Sequence, residues 1–481
     1  MMTREYDFAV IGGGVIGGLI AREISRFEVT TVILERCMDV SMGASKANSG
    51  IVHAGFDAER GTLKARMNVR GSELMETVAS ELGVGYRRNG SVVTAFSDKE
   101  REHLLRLAER GARNGVKDIS VIDGDRLREF EPNLSPEIKY ALYAPTGAII
   151  SPYGLCIAAV GNAMDNGCDL MRGFEVTAVE RSGEWFTVTS STGEAIRCRA
   201  VINAAGINSD IVASMASPAR FRILPRKGEY LLCDKELGGM VGCTVFGCPT
   251  EKGKGVLVTP TVDGNLLLGP TAEDVQDRDD VATCADGLSY VERSALRQLP
   301  RLPRGKVITS FAGLRAKADG GDFIIEWSER GFLNVAGIDS PGLSSAPAIA
   351  EMVVDMIGNS GFRLDRKRNF DPFRKPLDWF SRLSDEEKSE VIRERPEYGH
   401  IVCRCEKISE GEIRDAIRRD PRPHDTDGIK RRTRSGMGRC QGGFCLPRVA
   451  EILSEETGIP FLEITKASGG SYINKSRTKG D

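Results

Sequence analysis

The chain has 481 residues, 41% hydrophobic and 28% charged, with a formal net charge of −2; this is an ordinary globular composition, and its near-neutral balance argues against a general nucleic-acid binder. At about 150 residues per domain, that length predicts two or three domains. No apolar stretch reaches the ~18 residues that span a bilayer, and residues 1–7 lack a signal peptide's basic, apolar and small-residue succession, so a cytosolic protein is expected, with any membrane contact made through a partner.

The first predicted element is a strand over residues 8–11, which runs into Gly12-Gly13-Gly14-Val15-Ile16-Gly17, a helix to about Ser25, and a strand over 31–34 ending in Glu35. That order is a Rossmann dinucleotide fingerprint. Gly12 permits the tight turn, Gly14 lets backbone approach a pyrophosphate at the helix N-terminus that Val15 and Ile16 open, and Gly17 lets the helix pack closely on the strand. Glu35 can accept from a ribose hydroxyl. The small polar loop Gly43-Ala44-Ser45-Lys46-Ala47-Asn48-Ser49-Gly50, followed by Ile51, suits a second phosphate and a flavin, which favours FAD over NAD. Later strands end in Ala205-Gly206 and in Gly337, the latter leading through Ser340-Pro341-Gly342-Leu343 into a helix whose N-terminus can stabilise a reduced flavin's negative charge. These residues, with Val176, complete the expected cofactor set.

Strand-like and helical runs alternate as far as about Ile357, an α/β pattern with a doubly wound FAD-binding part at residues 1–80, 145–220 and 305–360. A mainly antiparallel β substrate part is expected at about 81–144 and 221–304, where Asp263-Gly264 marks a hairpin. The oxidoreductase region should close near 375. Basic, Pro-containing sequence then reads as a linker over 376–399, with one short helix opened by the capping box Ser384/Glu387. A small helical domain follows at 400–460, with a second capping box at Ser409/Glu412 and a last helix from Pro447 to Gly458. The tail, 461–481, reads as disordered from Gly469 onward.

Eight of the twelve cysteines are scattered and read mostly as inert core thiols. The other four fall in pairs, Cys403-Arg404-Cys405 and Cys440-Gln441-Gly442-Gly443-Phe444-Cys445. Structural zinc more often uses C-x2-C spacing, so an iron–sulfur centre is the preferred reading and a redox-sensing or zinc docking module the alternative. Lys430, Arg431, Arg432, Arg434 and Arg439 are expected to offset a cluster's negative charge.

Nearly all of Asp7 to Ile357 resembles the D-amino-acid oxidase-like FAD superfamily. Within it, Asn48-Ser49-Gly50-Ile51-Val52-His53-Ala54-Gly55 and Gly313-Leu314-Arg315 are most similar to FAD-dependent glycerol-3-phosphate dehydrogenases and oxidases, and L-2-hydroxyglutarate oxidases share a similar stretch. The cysteine segment resembles the bacterioferritin-associated-ferredoxin-like [2Fe-2S] domain, above all the one that ends the anaerobic glycerol-3-phosphate dehydrogenase large subunits. The combination implies a small anionic hydroxy substrate, glycerol 3-phosphate before a 2-hydroxy acid, and electrons passed on to another protein subunit. Alcohol oxidation at a flavin needs a base for the hydroxyl proton. Of four histidines, His103 and His424 read as solvated and His400 lies by the cysteines, so the resemblance makes His53 the base. It likewise makes Arg315 the anion anchor, with Lys254 a second candidate and Ser49 a holder of the substrate hydroxyl.

Overall fold

A computed structural model describes residues 4–217, 220–248, 255–467 and 469–476. At its centre is the strand Arg4–Ile11, paired in parallel with Thr31–Glu35 on one side and Ala195–Asn203 on the other. Asp169–Arg172 and Phe332–Ala336 extend the parallel sheet outward. Thr31–Glu35 is buried along its whole length, as expected where both faces of a parallel sheet are covered. One face carries Val15–Ile24, Pro152–Asp165 and Gly342–Asn359, packed through Phe8, Val10, Leu19, Ile20, Ile349 and Val353. The other face holds Phe174, Val179, Phe186 and Val188 from an antiparallel ribbon.

A second sheet is mainly antiparallel and takes in Ser91–Ala95, Tyr140–Ala144, Thr244–Gly247, Leu257–Pro260, Leu266–Gly269 and Ile223–Cys233. Its hairpin between Leu257–Pro260 and Leu266–Gly269 turns through Gly264 at φ +86°, a backbone conformation that suits glycine. One expectation is corrected here. Val307–Ala318, assigned from sequence to the cofactor part, pairs along its length with Ile223–Cys233. A strand of twelve residues needs a partner of similar length, and the eleven-residue Ile223–Cys233 supplies it.

The expected linker over 376–399 is a packed layer. Tyr398 is 1% exposed, its ring 4.7 Å from Phe380 and 5.4 Å from Trp379, and its hydroxyl donates to Asp415. It lies over Gly411, where a Cβ would collide with the ring. Aromatic side chains in a polar stretch override its linker-like composition because they bury large apolar areas. Both capping boxes form.

The C-terminal unit sets Glu410–Arg418, Thr426–Thr433 and Leu446–Thr457 round Ile413, Ile417, Ile429, Ile452 and Leu453. Its last helix ends at Gly458 with φ +73°. The tail expected to be disordered instead bridges Thr465 to Tyr472 and packs Ile473 on this core. Isolated apolar residues are enough to hold a polar stretch when a core stands beside it. Residues 477–481 lie outside the described residues.

Candidate active site and cluster site

A cavity of about 1110 Å³ runs between the two sheets, slightly above the usual span for small-molecule sites and roomy enough for a dinucleotide. One end is the Rossmann turn. Gly12 has φ +115°, and a Cβ on Gly17 would overlap the Gly12 carbonyl, so the helix Val15–Ile24 can seat only on glycine. At Gly14 the nearest neighbour is the Ser45 hydroxyl, leaving an open cradle at the helix N-terminus. Val15 N–H donates to Ser45 Oγ at 2.9 Å. Glu35 ends its strand on the cavity wall, its carboxylate accepting from Gly13 and Cys37 N–H at 2.7 and 2.8 Å. Burial pushes its pKa up and those two donors oppose the shift. The cradle, the acid and the volume fit an FAD.

Gly12, Gly14, Val15, Ile16, Glu35, Ala44, Ser45, Asn48, Ser49, Ile51, Val176, Ala205, Gly206, Ser340, Gly342 and Leu343 all line this cavity. Gly17, Gly50 and Gly337 do not. Gly50 and Gly337 have φ +65° and +66° and are packed against Ile150 and Ala318, so they shape the backbone behind the wall and do not form it. Their strand-end positions gave the same signal as the lining glycines.

At the far end the cavity meets His53, Ser49 and Arg315. His53 is held through its backbone, with N–H donating to Ser344 Oγ at 2.7 Å and C=O accepting from Asn68 at 2.7 Å. Its ring lies 5.8 Å from that of Phe246. Arg315 Nη2 donates to the Thr271 carbonyl at 3.2 Å and passes over Gly228, where a Cβ would come within 2.6 Å. It reaches the hydroxyl of buried Tyr230, which also hydrogen-bonds Ser49; burial pushes this phenol's pKa up, and Arg315 and Ser49 pull against that. Sequence reasoning missed Tyr230. The signal was the alternation Arg226, Gly228, Tyr230, which sets all three on one face of a strand. It also missed the ion pair of Lys64 and Asp339, 2.6 Å apart on the cavity wall. Lys254 lies outside the described residues.

Two of the other histidines, His424 and His103, differ from expectation. His424 is half-buried with Nε2 2.6 Å from Arg172 Nη2, and burial, with Arg172 adding to it, lowers its pKa. His103 is half-buried too, with Nε2 shielded from solvent, because it faces inward from the helix Asp98–Asn114. His400 is largely exposed.

The four clustered cysteines converge as two pairs, each taking one thiol from each sequence pair. Cys405 Sγ lies 3.5 Å from Cys440 Sγ, and Cys403 hydrogen-bonds Cys445. That bond, with N–H donors from Gly436 and Glu406, lowers the Cys403 pKa to about 5. Phe444 and Gly442 point N–H groups at Cys440. Four thiols in two pairs with backbone donors aimed at sulfur suit a two-iron cluster, in which each iron takes two thiolates.

Of the basic residues near the second pair, Lys430 interacts with Cys445 as expected, whereas the arginines do something else. Arg431 and Arg432 reach Asp39 at 2.5 and 2.8 Å, all three buried. Arg434 joins Glu406, Asp263, Tyr153 and Asn265 at 2.6–3.0 Å. Arg439 pairs with Asp234 and Glu236. Buried guanidinium groups need fixed acceptors: Arg431 and Arg432 find Asp39, Arg434 finds Asp263, Tyr153 and Asn265 besides Glu406 of its own unit, and the more exposed Arg439 finds Asp234 and Glu236, so these side chains dock the C-terminal unit on the oxidoreductase region.

Residues 7–356 match the family model for FAD dependent oxidoreductases and residues 401–455 that for the BFD-like [2Fe-2S] binding domain, which replaces the zinc alternative. A glycerol 3-phosphate dehydrogenase of Caloramator mitchellensis is 44% identical over 478 residues, 99% of each chain. A glycerol 3-phosphate oxidase of Mycoplasma pneumoniae is 31% identical over 77% of this chain and 98% of its own. A dithionite-reduced L-α-glycerophosphate oxidase from M. pneumoniae, solved with FAD bound, aligns with a TM-score of 0.73 at 29% identity, covering 77% of this chain and 98% of that one. The chain thus belongs to the FAD-dependent oxidoreductases, and it carries a C-terminal BFD-like [2Fe-2S] binding domain.

Proposed function

We propose that this protein oxidises sn-glycerol 3-phosphate to dihydroxyacetone phosphate and delivers the electrons to a protein acceptor. The observation that carries this reading is one cavity lined by a dinucleotide cradle, an imidazole and a guanidinium held by Tyr230. FAD, held by the Gly12–Gly17 turn, Glu35 and the 44–51 loop, supplies hydride acceptance at the alcohol carbon. His53 removes the hydroxyl proton. Arg315 offers paired N–H groups that match phosphate, with Ser49 placed to orient the substrate hydroxyl. The four cysteines hold a cluster that supplies one-electron exchange. A cytosolic location follows the same reading, and among the described residues no helix is long and apolar enough to cross a membrane.

The relatives named for glycerol 3-phosphate favour a phosphate over a carboxylate for the anion at Arg315. The test is anaerobic flavin bleaching with glycerol 3-phosphate, L-2-hydroxyglutarate and other 2-hydroxy acids. Bleaching by glycerol 3-phosphate at low concentration is expected. Bleaching by a hydroxy acid alone would transfer the site to carboxylate substrates.

A further inference from the structure

Phe444 is 86% exposed although it lies between two cluster cysteines. A lone exposed aromatic is unremarkable, so its surroundings decide. Its backbone N–H points at Cys440 Sγ, which is paired with Cys405 Sγ. Cys405 is exposed and Cys440 half-buried, whereas Cys403 and Cys445 are buried. Phe444 therefore projects from the turn that carries the solvent-facing edge of the cluster site. Gly443 and Pro447 beside it are exposed as well and add no charge.

The rim is basic. Arg404, between Cys403 and Cys405, is exposed, and so is Lys407; among the described residues neither makes an ion pair. The neighbouring carboxylates are already taken up: Glu406 by Lys235 and Arg434, Glu236 by Lys306 and Arg439, Asp234 by Arg439, and Glu451 by Arg448. An apolar centre inside a charged rim is the usual anatomy of a transient interface.

We propose that this face, Phe444 together with Arg404 and Lys407 of the turn that carries Cys405, docks an acidic one-electron carrier protein. The inference rests on the reading that electrons leave through the cluster. Each encounter passes one electron from the reduced protein to the carrier, and two encounters discharge the pair taken from one substrate molecule. Opposite charge speeds the encounter and makes it salt-dependent, while Phe444 provides the contact that brings the carrier against Cys440.

The test uses the complete protein with cluster and flavin, a flavodoxin as the acidic carrier, and a basic cytochrome c as the counter-probe. The protein is reduced with dithionite, so that a wrong substrate assignment cannot affect the outcome, and reoxidation is followed by stopped flow at low and high salt. Flavodoxin should react faster than cytochrome c, and its rate should fall with salt. The double variant Arg404→Glu, Lys407→Glu should lose about tenfold or more of the flavodoxin rate. Phe444→Ala should lose several-fold, with ferricyanide oxidation and iron content unchanged. Calorimetric titration of the oxidised protein with flavodoxin should show the same ranking in affinity. A preference for cytochrome c, or wild-type flavodoxin rates and affinities in both variants, overturns the proposal. So does a Phe444-dependent dimer in sedimentation, which would assign the face to a second copy of this chain. Equal flavodoxin reduction by a cluster-free Cys440→Ser protein would instead refute cluster exit itself.

Discussion

His53 and Arg315 can be separated by kinetics because each is proposed to serve a different part of the reaction. His53→Ala should keep FAD and bind substrate, yet slow anaerobic flavin bleaching by ~10²–10⁴, the usual cost of a missing positioned base. A wild-type single-turnover rate would remove His53 from that role. Arg315→Ala should instead raise the substrate Kd by tenfold or more, since a charge-assisted forked contact is lost; unchanged affinity would move the anchor, with Lys254 next to be tried. Asp39 is a residue of another kind, buried between two guanidinium groups. Burial raises its pKa, but Arg432 and Arg431 outweigh that and hold it well below the usual carboxylate range. A depressed carboxylate contributes stability that is complete above its unfolded pKa of about 4 and is lost as pH falls below it. FAD release and loosening of the C-terminal unit should therefore begin together as pH drops through about 4. Asp39→Asn should remove that acid step and cost about 3–5 kcal/mol at neutral pH, because two buried cations lose their partner. Parallel acid curves for variant and wild type in flavin fluorescence would count against the assignment.

Elements whose signals are local were the ones legible in the sequence. The Gly12–Gly17 turn, the capping boxes at Ser384 and Ser409, the Asp263-Gly264 hairpin and the Gly458 stop each lie within a few residues of what they determine. Pairings set by distant partners were not. Val307–Ala318 has a strand pattern, but nothing within it says that its neighbour is Ile223–Cys233, and Tyr398 gives no local sign that Gly411 leaves room for its ring. The same distance hid Tyr230 from Arg315. Gly228 lets the guanidinium cross the strand, so Gly228→Ala should displace Arg315 and raise KM for the anionic substrate several-fold, with flavin content unchanged. An unaltered KM would mean that Arg315 reaches the cavity by another route.

At the scale of the molecule, the flavin and cluster sites are built on separate cores, the first packed round Val10 and Ile349 and the second round Ile413 and Leu453, and they meet through ion pairs. Cys440→Ser replaces a soft thiolate with a harder oxygen ligand, so iron should be lost or become labile while flavin content and bleaching by substrate persist. Loss of both cofactors in that variant would show that the two cores do not fold independently. Composition announced the two units, since the cysteine pairs and the glycine turn lie at opposite ends of the chain. It did not announce their contact, because a run of arginines next to thiolates reads the same whether it faces the cluster or an acid of the other unit.

The bond between Arg431 and Asp39 joins residues 392 apart in sequence. At about 5–20 residues per second a ribosome needs roughly 20–80 s to travel from one to the other. Throughout that interval the segment between Glu35 and Ser45 carries a carboxylate with neither guanidinium at hand. The Asp39 ion pairs can close only after the arginine codons have been read, so docking of the C-terminal unit is a late event of synthesis.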